Sequence, residues 1–341
     1  MDGTKSDERV GPLRKLAGAS LLGVAGWAGY AAASVPRDLP LPPAIPGAEH
    51  REVVGREAGR LGCYVAGPVD GPPLLLVHSI NAAGSAYEVR PLFERLTSAR
   101  RVYAVDLPGF GTSDRSQRRY DARLYTDAIH DMLDAIAADA GPGSVDALAI
   151  SLSSEFLARA ATERPERFRS VALVTPTGFN KGSHRLRGPA GATREVPGLY
   201  GFFNVPLWSQ GFYDLLVSRR SIRFFLKKTF GSDRIDEGLL DYDYLTTHQP
   251  GAKNAPYAFV SGRLFSKDIR DVYERLSLPV WMTQATRGDF ADFSEAGWTA
   301  ERPNWTVTTF DAGALPHFER PDEVVGEYGR FLATVPAAAG R

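Results

Sequence analysis

Residues 73–78 read PLLLVH, apolar without a break up to the histidine. A strand with one wet face alternates apolar and polar residues. An uninterrupted run of this kind belongs to a strand covered on both faces, as in a parallel sheet between two layers of helix. The neighbouring sequence keeps to that pattern. A strand pair is predicted over 52–57 and 61–66, with a turn near Gly59. After 73–78 come helical spacing over 87–96, a strand over 101–105 and the turn-rich DLPGFGTSD of residues 106–114. A helix follows over 122–137 with Ala128, Met132, Leu133 and Ile136 on one stripe, then strand 145–150, helix 152–162 and strand 171–174. Strict alternation predicts an α/β fold, a doubly wound and mostly parallel sheet with right-handed crossovers.

The alternation stops over 177–276, where helix-like pieces carry many aromatics, among them Phe202, Trp208, Phe212, Phe224 and Tyr242. It resumes with strands over 278–283 and 305–310 and a closing helix over 322–332. The division is therefore a core in two parts, 51–176 and 277–341, with a helical cap inserted at 177–276 over the edge where open α/β sheets bind ligands.

Upstream lies a polar, basic stretch (1–15) with Lys5, Arg9, Arg14 and Lys15, then an uncharged run over 16–35 rich in Gly and Ala. Twenty helical residues span about 30 Å, the thickness of a bilayer core. The run reads as a hydrophobic helix acting as a signal anchor with its basic end cytoplasmic and the body outside. Two alternatives stay open: a signal peptide cleaved near Ala31-Ala32-Ala33, giving a secreted protein, and an amphiphilic helix packed on the body. Residues 36–50 hold Pro36, Pro40, Pro42, Pro43 and Pro46, a stiff extended spacer that suits a body standing off a membrane.

Forty basic and forty acidic residues cancel, and no concentrated basic face suggests a nucleic-acid partner. Cys63 is the only cysteine, so neither an intrachain disulfide nor a cysteine metal cluster is available. No His, Asp and Glu grouping has metal-ligand spacing, and no cofactor is expected.

The chemistry-bearing segment is VDALAISLSSEFL, 145–157. A strand ends, Ser151 follows at once, and a helix begins. Such a turn lifts a serine hydroxyl above the sheet while the new helix aims N–H groups at it. It tolerates only small residues two before and two after, here Ala149 and Ser153. A plain helix cap at Ser151 is the competing reading.

In order and spacing, PLLLVHSINAAGSAYEVRPLFERL, RVYAVDLPGFGTSDRS, the Ser151 turn, LPVWMTQATRGDF and ALPHFERP resemble the α/β-hydrolase superfamily. The likeness covers about 72–332 apart from the cap, and is nearest to the capped esterase, C–C hydrolase and haloalkane dehalogenase group. Dehalogenases carry aspartate at the nucleophile, so Ser151 argues against their chemistry. The resemblance implies Ser151 as nucleophile, the N–H groups of Leu152 and Ile80 as an oxyanion hole, and Asp289 as the acid with Asp292 in reserve. Asn81 either adds a side-chain amide to that hole or caps the following turn. The family's final Gly-His falls on Gly313-Ala314, and His317, one turn on if the segment is helical, is then either the base, with the loop rearranged, or a non-catalytic residue behind the site. The other departures are Ser79, where glycine is usual, and the Ala149/Ser153 pair. Of the remaining histidines, His78 reads as structural, and His50, His130, His184 and His248 carry no role in the site. The expectation is a serine hydrolase acting on an ester, thioester or related carbonyl compound with an apolar or aromatic part. The alternative is a catalytically silent ligand-binding or scaffolding protein on the same fold.

Overall fold

Strand β3 (Pro73–Val77) is buried along its whole length, as are β4 (Arg101–Val105) and β5 (Val145–Ile150). Successive side chains of a strand point to opposite faces. Leu75 and Val77 accordingly enter one apolar core, while Leu74 and Leu76 enter the other. Two covered faces explain the missing polar alternation. The structure, a computed structural model, describes residues 34–336 and Gly26.

These strands join β1 (Glu49–Gly55), β2 (Gly59–Ala66), β6 (Phe168–Val174), β7 (Val280–Ala285) and β8 (Trp305–Phe310) in one sheet, ordered β1-β2-β4-β3-β5-β6-β7-β8. β1 pairs antiparallel with β2, and β2 with β4; the other pairs are parallel. The winding reverses at β3, which has β4 on one side and β5 on the other. Loops leaving β3 and β5 therefore diverge and open a crevice at the C-terminal edge.

Helices α1 (Arg90–Leu96), α2 (Ala122–Ala140) and α3 (Ser153–Glu163) connect the first strands. α2 begins at Asp121, whose carboxylate accepts the Leu124 N–H at 3.0 Å, and ends at Gly141, φ 86°. The segment between β6 and β7 carries α4 (Leu199–Phe203), α5 (Ser209–Leu216), α6 (Arg219–Phe230), α7 (Glu237–Thr247), α8 (Asn254–Val260) and α9 (Ile269–Glu274). After β8 come the single turn α10 (Pro316–Glu319) and α11 (Pro321–Thr334).

The proline-rich stretch does not hold the body at a distance. Ala44 and Ile45 are buried, the Ala44 N–H donates to the Tyr64 hydroxyl at 3.0 Å, and Tyr242 donates to the Pro42 carbonyl at 3.1 Å. A segment short of N–H donors can lie against the body at little cost, because it leaves few donors to satisfy. Among the described residues no helix is long and apolar enough to cross a membrane. The uncharged run of 16–35 falls almost wholly outside them.

One buried charge group fastens the N-terminal end of β5. Asp146 accepts from Arg100, from Arg169 at 2.5 Å and from Ser170 at 2.5 Å, beside an irregularity in the β5–β6 register. Removing one member of a buried ion group strands the others in low dielectric. Asp146→Ala is expected to lower the unfolding free energy by about 3 kcal/mol in urea titration; a loss below about 1 kcal/mol would show that solvent already screens the group.

Candidate active site

Ser151 ends β5 with φ 53°, in left-handed backbone that a residue with a Cβ seldom adopts. Its N–H donates to the Val174 carbonyl at 2.8 Å, and its carbonyl accepts the Ser154 N–H at 3.1 Å as α3 starts. Ala149 and Ser153 are completely buried on either side. Only small side chains fit there, so alanine and serine serve where glycine is usual. Ser151 faces a cavity of about 450 Å³ beneath the cap.

Ile80 and Leu152 line the same cavity, and the N–H of neither is engaged in a hydrogen bond within the described structure. The loop carrying Ile80 is fixed from behind. His78, fully buried, bonds the Ser79 carbonyl through Nδ1 at 2.6 Å and accepts the Leu107 N–H on Nε2 at 3.0 Å. Burial lowers its pKa, so the ring is neutral with its proton assigned to Nδ1 by this network. Glu88 accepts the Ser79 N–H at 2.8 Å, the Ser79 hydroxyl at 3.1 Å and the Asn81 amide at 2.7 Å. Asn81 Oδ1 accepts the Ala83 N–H at 2.6 Å, so this side chain caps the turn and its amide is spent on Glu88. Ser79 keeps a negative φ, and its bonds to Glu88 replace the freedom a glycine would give.

The two acids lie at the rim. Asp289 lines the cavity, but its carboxylate pairs with Lys228 Nζ at 2.9 Å and is more than half exposed. Asp292 accepts the N–H groups of Lys181 and Ser294, both at 3.0 Å, and those bonds lower its pKa. Neither contacts a histidine.

His317 is not brought to Ser151. It is fully buried on α10, away from the cavity lining, with Nε2 bonded to the Glu88 carbonyl at 2.7 Å. Burial pushes its pKa down to about 4, and Nδ1 has no partner. The expected shared face with position 314 does not exist, because the helix starts only at Pro316 and Ala314 precedes it in a loop. Ala314 itself reaches the cavity, where its N–H donates to the Thr229 carbonyl at 2.8 Å and its carbonyl accepts from Thr175 Oγ1 at 2.7 Å. Among the described residues no histidine lines the cavity.

Two lining residues gave no signal in the sequence. Thr175 holds φ 45°, a strained geometry for a β-branched residue, and clamps the loop at Ala314. Arg194 is the single cation among the lining residues; its Nε and Nη2 are shielded from solvent and without a partner. Its backbone is pinned by an N–H bond to the Phe265 carbonyl at 2.9 Å. The nearby carboxylate of Glu155 is occupied by Thr177 Oγ1 at 2.6 Å and the Ser266 N–H at 2.9 Å, and burial raises its pKa.

A family model described as the alpha/beta hydrolase family matches residues 74–327. The chain belongs to the α/β-hydrolase family. It is 26% identical over 217 residues to a pimeloyl-[acyl-carrier protein] methyl ester esterase of Aeromonas salmonicida, covering 62% of this chain and 75% of that protein. It is 29% identical over 123 residues to a 2-(acetamidomethylene)succinate hydrolase of Mesorhizobium japonicum, covering 36% of this chain and 42%, less than half, of that protein. Solved α/β-hydrolase folds align across most of the chain. A serine hydrolase of carbazole degradation, CarC, gives a TM-score of 0.65 at 16% identity, covering 84% of this chain and 99% of that one. Carboxylesterase CesB of Bacillus subtilis gives 0.61 at 17% identity, covering 92% and 98%.

The neutral, buried His317 has a stability signature. Unfolded histidine titrates near about 6.5, and folding lowers this to about 4. Its contribution is complete above about pH 6.5 and is lost as pH falls toward 4, a total of about 3 kcal/mol. His317→Gln is expected to lose less stability than wild type between pH 7 and pH 4 in urea titrations. Equal losses would show that His317 is solvated in the native protein.

Proposed function

We propose that this α/β-hydrolase is a serine hydrolase that cleaves an ester with an apolar body and an anionic end, working without an imidazole at its nucleophile. One observation carries the reading: Ser151 keeps the strained elbow conformation, φ 53°, facing a cavity with two unengaged N–H groups. Strain of this kind costs about 1–3 kcal/mol and persists where the fold enforces it. Similarity to a methyl ester esterase supports the ester as the bond cleaved.

In the chemical step Ser151 Oγ bonds to the ester carbonyl carbon and the carbonyl oxygen turns toward the N–H groups of Leu152 and Ile80. The hydroxyl proton passes to solvent hydroxide, the alcohol leaves with a proton from water, and water then cleaves the acyl-serine. A positioned base contributes about 10²–10⁴ in rate. Triad enzymes stripped of one member keep about 10³–10⁴ over water from oxyanion stabilisation and binding. This protein belongs in that range. Phe259, Phe265 and Leu226 receive the apolar body, and Arg194, through the Nε and Nη2 groups that lack a hydrogen-bond partner, receives the anionic end.

Hydrolysis of p-nitrophenyl esters is expected to be slow, to disappear in Ser151→Ala, and to rise about tenfold per pH unit from pH 6 to 9 with no inflection near 6.5. For a monoester of a dicarboxylic acid, Arg194→Met is expected to raise KM by roughly ten- to a hundredfold, with the neutral methylated analogue unaffected. An inflection near 6.5 that vanishes in His317→Gln would restore His317 as the base and overturn this mechanism.

Ala314 at the histidine position favours a second reading, a ligand-binding member that performs no chemistry. Under that reading carboxylates bind through Arg194 with equal affinity in wild type and Ser151→Ala, and no ester turns over.

A further inference from the structure

The cap wears an apolar surface that its own fold does not cover. Phe202, Phe212, Leu215, Phe224, Phe225 and Phe290 are each between 41% and 56% exposed. They are grouped. Phe202 meets Phe203 at 5.8 Å between ring centroids, and Phe203 stacks on Phe212 at 5.2 Å, joining α4 to α5. Phe224 and Phe225 touch at 5.4 Å on α6. Lys228 Nζ sits 5.7 Å over the Phe224 ring and 2.9 Å from Asp289, the residue before Phe290. These are two exposed apolar groups, one on α4 and α5 and one on α6 beside Phe290, and grouped exposed apolar surface marks interaction sites.

Its chemistry is specific. α6 reads RRSIRFFLKKTF, with five basic residues and no acidic one. Four of these cations pair with carboxylates that are themselves more than half exposed: Arg219 with Asp241, Arg223 with Glu237, Lys227 with Asp233 and Lys228 with Asp289. Such pairs are weak and can exchange for other anions. Exposed phenylalanines flanked by Arg and Lys on one helix suit the boundary between acyl chains and anionic headgroups.

A second, separate observation gives the same orientation. The N-terminal segment reaches the body on the cap side. Arg37 pairs with Asp214 of α5 at 2.6 Å, and Leu39 bonds both His248 and the Gln249 side chain. The uncharged run of 16–35 therefore joins the body beside α5, the helix carrying Phe212 and Leu215. A membrane that took that run as an anchor would meet the body on the α5 side.

We propose that the aromatic, basic face of the cap (α4, α5 and α6) lies on an anionic lipid surface. Phe290, 56% exposed and next to the Lys228–Asp289 pair, also lines the cavity, so the cavity reaches that face. Ligand thus enters from the lipid boundary.

The test uses the full chain in lipid nanodiscs. Cys63 is buried and burial pushes its thiol pKa up, so single introduced cysteines take a fluorophore selectively. Phe212→Cys and Phe224→Cys report on the face, and Val54→Cys, 84% exposed on β1, is the control. With phosphatidylglycerol and shallow spin-labelled lipid present, fluorescence at 212 and 224 is expected to fall at least about twofold while 54 is unchanged. Replacing phosphatidylglycerol by phosphatidylcholine is expected to reduce that quenching. Equal quenching at 54, or none at 212 and 224, would overturn the proposal. Positions 212 and 224 shielded from aqueous iodide yet untouched by the lipid quencher would also overturn it, the occupant then being the 16–35 run or a second copy. Quenching indifferent to lipid charge would overturn the anionic part.

Discussion

The passage from buried strand β5 into α3 is made in one sharp reversal, and that reversal falls on one residue. Ser151 takes it in left-handed backbone, with its N–H tied to β6 at Val174 and fully buried Ala149 and Ser153 on either side. The rest of the site is arranged around that point. β3, the neighbour of β5 across the switch in winding, delivers Ile80 to the same cavity, and the start of α3 delivers Leu152. Sheet and helix packing hold the elbow in place, and the hydroxyl it presents faces the cavity.

The loop after β8 has been rebuilt around a different set of bonds. Gly313 donates to Glu319 at 2.7 Å, Ala314 is held by Thr229 and Thr175, and α10 begins only at Pro316. His317 then points away from the cavity to the Glu88 carbonyl. The same Glu88 holds Ser79 and Asn81 with its carboxylate. Through this one residue, the histidine weighed as a base instead supports the loop that carries Ile80. A neutral imidazole suits that task, because it can donate to a carbonyl without bringing a charge into the core.

The sheet was legible because its cause is local. A run such as PLLLVH has one structural explanation, and alternating strands and helices allow few topologies. The Ser151 turn and the break in alternation between β6 and β7 were legible for the same reason. The direction of the His317 side chain was not, since it depends on where a four-residue helix begins, which Pro316 and the Thr229 and Thr175 contacts decide together. The proline-rich segment read as a free spacer because nothing local shows that Tyr64 and Tyr242 would meet it. Arg194 sits in a loop with no pattern of its own; its place at the cavity comes from residues 261–266, distant in sequence, folding beside it.

The central claim is a competent serine nucleophile with oxyanion donors and no imidazole base. Without that base, p-nitrophenolate, a good leaving group, still departs readily, whereas attack of water on the acyl-serine is left unassisted, so the acyl-serine should accumulate. Intact-protein mass spectrometry on samples quenched during turnover of a p-nitrophenyl ester measures this directly. The account gives one acyl group per chain, mapped to Ser151 and formed equally in wild type and His317→Gln. No adduct on folded protein, or an adduct that requires His317, would contradict it.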